Sequence, residues 1–140
     1  MTAPIIIRKA TTRDVKPCYA IMRKTKELYG ADGLSPEWWL RGLIEKGIAV
    51  VAEQGKTIIG FKAGESLLSG GVISHLIVIK KDYRGKGLAS QMNAAFEKRA
   101  KEKKRIWVLT YAKDDSILDR LYRKAGYKKG QALREYAKDI

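Results

Sequence analysis

The stretch Leu76-Ile-Val-Ile-Lys-Lys-Asp-Tyr-Arg-Gly-Lys-Gly-Leu-Ala89 constrains the fold of this chain more than any other. Leu76 to Ile79 is a short, β-branched apolar run, which predicts a buried strand. Gly85 and Gly87 follow, and glycine lets a backbone turn tightly and come close to a ligand. Leu88, Gln91, Met92, Ala95, Phe96 and Arg99 then recur at i, i+3, i+4 spacing, which predicts a helix from Gly87 to about Lys103. The start of a helix has unpaired amides and a partial positive charge, and both attract anions. Arg84 and Lys86 add formal charge at the same place. A strand, a glycine turn and a helix joined in this way make a seat for a diphosphate; a solvated turn is the plainer reading.

Other phosphate loops fit less well. A Walker loop needs Gly-x4-Gly-Lys-Ser/Thr, which does not occur. A dinucleotide fingerprint needs a third glycine where Ser90 stands, near the start of a βαβ unit. The pattern Arg/Gln-x-x-Gly-x-Gly/Ala is filled by Arg84, Gly87 and Ala89. Downstream, the apolar run Ile106–Thr110 predicts a strand, and Asp115-Ser-Ile-Leu-Asp-Arg-Leu-Tyr-Arg-Lys-Ala-Gly-Tyr127 predicts a helix. Asp115 is a good N-cap for it and Gly126 a C′ stop. Ile117, Leu118, Leu121, Tyr122 and Ala125 fall on one face.

Together the two segments resemble the GNAT superfamily of acetyl-CoA-dependent N-acetyltransferases. The first matches its pyrophosphate loop. The second matches Asn-x-x-Ala-x-x-Leu-Tyr-x-Lys-x-Gly-Phe through Leu121, Tyr122, Lys124 and Gly126, with Tyr127 for Phe, Asp115 for Asn and Leu118 for Ala. The resemblance implies an α/β (α+β) fold: a mixed, mostly antiparallel six- to seven-stranded sheet, about four helices on both faces, and splayed central strands that admit the cofactor. It implies acetyl-CoA as cosubstrate; no metal is expected, and a length of 140 residues is most simply a single domain over residues 1–140. It also implies acetyl transfer to a primary amine by direct attack in a ternary complex.

Residue by residue, the resemblance implies that the backbone of Ile77, Val78 and Ile79 pairs with the pantetheine amides. Arg84, Gly85, Lys86, Gly87, Leu88 and Ala89 would wrap the diphosphate. Asp115 would stand where an asparagine contacts the pantetheine arm, although a carboxylate cannot donate as that amide does. Tyr122 would protonate the departing thiolate as a general acid. Relatives often carry a glutamate on or beside the motif strand as base, but Gly70 to Ile79 contains none. His75 is the base candidate, because histidine is the side-chain type that exchanges a proton near neutral pH; Glu65 and Tyr111 are alternatives. The acceptor pocket would draw on Tyr29 to Leu43, with Trp38 and Trp39 as candidate walls. The acceptor itself stays open among a small molecule, a peptide N-terminus and a lysine. Homodimerisation, common in such proteins, is also left open.

Charge raises one further question. Residues 1–70 hold eleven Lys and Arg against seven Asp and Glu, and residues 71–140 hold eighteen against eight, within a net charge of +14. Coenzyme A accounts for a few of these cations. The run Lys98–Arg105 suits the solvated C-terminal end of a helix, or else an acidic partner such as RNA. Two alternative functions follow: acetylation of an RNA-borne amine such as aminoacyl-tRNA, or a non-catalytic acyl-CoA-binding module. No apolar run approaches the roughly 20 residues of a membrane span, and the N-terminus lacks a signal-peptide layout. One cysteine, Cys18, and one histidine exclude an internal disulfide and a Cys/His zinc cluster. A cytoplasmic location is the expectation.

The remaining segments complete the order β-α-α-β-β-β-α-β-α-β. Ile5–Ile7 opens as a strand, Asp14 caps a helix to about Tyr29, and Gly30–Leu34 is a turn. Ser35-Pro36 starts a helix that Gly47 ends, Ile48–Glu53 and Thr57–Glu65 form a hairpin, and Ala132–Ala137 reads as a last strand.

Overall fold

A computed structural model describes residues 2–25, 35–134 and 136–140. Five strands form one sheet in the order β1 (Ile5–Lys9), β2 (Ile48–Gln54), β3 (Thr57–Ser66), β4 (Gly71–Ile79) and β5 (Trp107–Leu109). The first three pairings are antiparallel; short turns join β2 to β3 and β3 to β4, while two helices separate β1 from β2 in the chain. Only β4 and β5 run parallel, and a helical crossover joins them. The helices are α1 (Val15–Lys24), α2 (Glu37–Lys46), α3 (Leu88–Glu102) and α4 (Ile117–Lys124).

Alternation along the strands sorts the apolar residues into two layers. On one face Ile58, Phe61, Ala63, Leu76 and Val78 pack with Val15, Cys18 and Met22 of α1 and Leu40, Leu43 and Ile44 of α2. On the other, Ile48, Val50 and Val72 meet Phe96 and Ala100 of α3, while Ala52 and Ile59 meet Leu88 and Met92. Cys18 is fully buried and burial pushes its thiol up to about 12, so it is a packed core residue and not a nucleophile.

The expected architecture holds, with corrections. The sheet has five strands, not six or seven, because Ala132–Ala137 forms no strand among the described residues. Leu133 and Tyr136 are exposed there, and β5 is three residues long. So short an edge presents too few ladder bonds to offset the entropy of ordering another strand. The first helix ends at Lys24 rather than near Tyr29, with the backbone of Thr25 already outside helical space. Tyr29 and the turn at Gly30–Leu34 lie outside the described residues. The basic run closes α3: that helix ends at Glu102, and Lys98, Lys101, Lys103 and Lys104 are exposed.

Candidate functional site

The site is built where the sheet comes apart. β5 pairs with β4 only from Gly71 to Ile73. Close approach there depends on Gly71, since a Cβ would run into the Trp107 indole. From Ser74 to Ile79 that edge of β4 has no ladder partner among the described residues, so its backbone groups face a gap. The opposite edge stays paired to β3, but with a slip: Ala63 faces Leu76 and Gly64 faces Ser74, which leaves His75 without a partner. This is a β-bulge, and it re-aims the side chains on either side of it.

β4 leads into a 3-10 turn at Lys81–Tyr83 and then the glycine loop. The Tyr83 hydroxyl donates to Gln54 Oε1 at 2.6 Å and ties the loop to the β2–β3 hairpin. Arg84 Nε donates to the Ile79 carbonyl at 2.8 Å, which turns the chain back toward β4. Gly85 (φ 77°) and Gly87 (φ 80°) occupy left-handed backbone, and Gly87 is the N-cap of α3. Arg84, Gly85, Lys86 and Gly87 are exposed, Ala89 is half-buried, and Leu88 is buried against Met92 and Ile59. Leu88 therefore anchors the helix start, while the loop before it faces solvent with the α3 amides behind it.

Ser74 and His75, neighbours in sequence, send their side chains to opposite faces. Ser74 is buried, and its Oγ accepts from Lys62 Nζ at 2.7 Å. Lys62, in the middle of β3, is fully buried and also donates to Tyr122 Oη at 3.1 Å. Its Nζ lies 4.8 Å from the Phe96 ring centroid and 5.2 Å from that of Tyr122. Burial pushes the Lys62 ammonium below the ordinary lysine range, against an upward pull from Tyr122 and Glu97. Tyr122 is 6% exposed and its ring tilts against Tyr127 at 5.1 Å. Burial and nearby Glu97 push the Tyr127 phenol up.

His75 lies on the face of α2. Its ring meets Trp39 edge-on at 5.5 Å, and Nε2 is 3.3 Å from Glu65 Oε2. Beside this pair a cavity of about 300 Å³ opens between α2 and the end of β3, lined by Trp38, Trp39, Leu43, Lys46 and Glu65. A smaller cavity of about 100 Å³, lined by Lys9, Ile44, Lys46 and Arg99 among others, contains none of the expected site residues.

The expected residues thus converge on β4 from two sides: Tyr122 from one face, His75 with Glu65 from the other, and the glycine loop from the C-terminal end. Tyr111 is 70% exposed beyond β5. Asp115 needs correction as a cap. It has positive φ (61°) and donates its amide to Asp119 Oδ2 at 2.9 Å, while the Ser116 hydroxyl caps α4 by accepting from the Asp119 amide at 3.1 Å. That Asp115 amide, above all, holds the Asp119 carboxyl below its ordinary range. Lys62 and Ser74 were not singled out from the sequence. The available signal was a lysine inside the apolar run Ile58-Ile-Gly-Phe-Lys-Ala-Gly64, where a charge in a central strand needs a reason.

The acetyltransferase (GNAT) domain profile matches residues 45–129, more than half the chain. The chain belongs to this family of acetyl-CoA-dependent acetyltransferases. Among solved structures, aminoglycoside acetyltransferase AAC(6')-Iy with a CoA-linked bisubstrate analogue superposes with a TM-score of 0.76 at 15% identity, over 99% of this chain and 100% of that one. Diaminobutyrate acetyltransferase EctA from Paenibacillus lautus, with its substrate and coenzyme A, gives 0.69 at 17% identity, over 88% and 75%. Ribosomal-protein-alanine N-acetyltransferase from Brucella melitensis biovar Abortus 2308 gives 0.70 at 16%, over 98% and 99%. At such identities these establish the shared fold. No curated protein sequence matches. Among the described residues no group of His, Cys, Asp and Glu could hold a metal ion, and no helix is long and apolar enough to cross a membrane.

Proposed function

We propose that this protein transfers an acetyl group from acetyl-CoA to a primary amine by direct attack within a ternary complex. One observation carries the reading: β4 loses β5 at Ile73, bulges at His75, and then offers an open edge that runs straight into the glycine turn. An extended pantetheine arm fits such an edge as an added strand would. The edge formed by Ile77, Val78 and Ile79 pairs with the arm. Arg84 to Ala89 then receive the diphosphate through main-chain donors and charge.

The amine enters from the side of Trp38, Trp39 and Glu65. Its ammonium first loses a proton to the His75–Glu65 pair, directly or through water. The neutral nitrogen attacks the thioester carbonyl carbon, the C–N bond forms and the C–S bond breaks. Sulfur leaves with the electron pair and takes the phenolic proton of Tyr122. The acylated nitrogen, cationic after the attack, gives up its second proton through water, which restores the Tyr122 phenol. The His75–Glu65 pair releases the first proton to solvent. Asp115 contributes through the start of α4, not as an amide-like donor.

Calorimetric titration with acetyl-CoA, with ATP as control, tests the cofactor half. Micromolar affinity for acetyl-CoA and much weaker binding of ATP are expected. Gly87→Val forces a β-branched residue into left-handed backbone at the helix start, and affinity should fall at least tenfold with the fold retained. Unchanged affinity would remove the loop from the site. Thiol release with any amine separates an enzyme from a binding module. Steep loss of acceptor affinity with salt would point to an RNA-borne amine instead.

A further inference from the structure

Lys62 has no task in the steps above, yet it is a lysine held fully buried in the middle of the sheet. Taking an ammonium out of water is costly unless it is paired and hydrogen-bonded. Among the described residues no carboxylate forms an ion pair with it; its partners are two hydroxyls, Ser74 Oγ at 2.7 Å and Tyr122 Oη at 3.1 Å. Glu97 of α3 exerts only an electrostatic pull, and its carboxylate accepts from Asn93 Nδ2 at 3.1 Å. The other groups facing Nζ are the rings of Phe96 and Tyr122, with Tyr127 behind Tyr122.

Hydrogen-bond direction decides what this arrangement does. A phenol has one proton to give and can accept at its oxygen. Because Nζ donates into Tyr122 Oη, the phenolic proton must point away from Lys62. Ser74 fixes Nζ from the other side, and Ser74 is also the first residue of β4 left unpaired by β5.

We infer that Lys62 is a positioning residue for the general acid: it occupies the Tyr122 oxygen, aims the phenolic proton into the gap between β4 and β5, and steadies the negative charge that develops there. This rests on the reading of Tyr122 as that acid. Lys62 is not the donor; the proton that reaches sulfur is the phenol's.

The test needs no acceptor, because CoA itself is the probe. Its bound thiol is titrated through the ultraviolet absorbance of the thiolate, in the wild type, Lys62→Met, Tyr122→Phe and the double variant. A phenol that donates to sulfur stabilises the thiolate and lowers the midpoint. Tyr122→Phe should therefore raise it. Lys62→Met should raise it by about one unit, a tenfold change in the acid constant, and by less than about 0.3 in the Tyr122→Phe background. If Tyr122→Phe raises the midpoint but Lys62→Met does nothing, or acts equally in both backgrounds, the role of Lys62 is overturned and that of Tyr122 stands. If Tyr122→Phe leaves the midpoint unmoved, the acid reading itself falls and takes Lys62 with it. Should Lys62→Met fail to fold, the Nζ resonance of Lys62 in the ¹⁵N-lysine-labelled wild type gives the same answer. A shift with CoA that desulfo-CoA does not reproduce supports the inference; the same shift with both overturns it.

Discussion

Asp14 and Lys62 are both charged and both buried, at 3% and 0% exposure, and the protein treats them in opposite ways. Asp14 sits where β1 turns into α1. Arg8 reaches it with two nitrogens, at 2.8 and 2.9 Å, and the amide and hydroxyl of Thr11 complete its shell at 2.7 and 3.2 Å. Arg8 also bonds Glu53 at 2.7 Å, so the cluster stitches α1 to the sheet. Lys62 has only hydroxyls for partners. A buried charge with a counter-ion and a closed shell is a structural joint. One held by groups that themselves have protons to give is equipped for chemistry.

The largest expected effect breaks this contrast on the chemical side. Tyr122→Phe should lower kcat for thiol release from acetyl-CoA by about 100-fold or more, the usual yield of a positioned general acid. Asp14→Asn should leave kcat unchanged. Equal losses in both would mean that Tyr122 is a packing residue.

Stability should respond the other way. Asp14→Asn removes charge-assisted bonds from Arg8 and Thr11, and chemical denaturation should show a loss of about 1.5–3 kcal/mol. Lys62→Met relieves the burial of an ammonium but strands two hydroxyls, and these terms oppose each other. Its stability should stay within about 1 kcal/mol of wild type. A loss like that of Asp14→Asn would make Lys62 a second structural joint.

Much of this site was legible in the sequence, for a local reason. The glycine loop, the Leu121–Gly126 helix end and the strand before the loop each depend on residues a few positions apart. Backbone conformation reports such features directly: Gly85, Gly87 and Gly126 all have positive φ. What escaped the sequence depends on register and distance. The bulge at His75 exists only relative to β3, where Gly64 pairs with Ser74. Tyr122 lies 60 positions from Lys62, and no spacing rule links them. The swap of caps at α4, Ser116 for Asp115, turned on a single residue's φ. The missing last strand fails for want of a long edge to join, which Ala132–Ala137 cannot announce.

The smallest effect is the pH dependence of stability, and it sharpens the contrast because the two charges act in different windows. At Asp14 burial alone would raise the carboxyl, but the hydrogen bonds from Arg8 and Thr11 outweigh it and hold the group below its ordinary range. A carboxylate depressed in the folded state contributes stability above its unfolded value, about 3.9, and loses it as pH falls through the folded value. For Lys62, burial lowers the folded value. Between that value and the ordinary lysine range, about 10.4, the unfolded chain binds a proton that the folded one does not. Stability from this group therefore rises with pH across that window. The deficit of Asp14→Asn relative to wild type should be full at neutral pH and shrink as pH falls into the acid range. The stability of wild type relative to Lys62→Met should stay level through the acid range and rise with pH between the folded and the ordinary lysine values. Denaturation midpoints in urea from pH 3 to 10 would resolve the two. A Lys62→Met difference that changes with pH in the acid range, or that stays flat up to pH 10, would show that the lysine is not a desolvated cation, and the asymmetry between the two buried charges would fail.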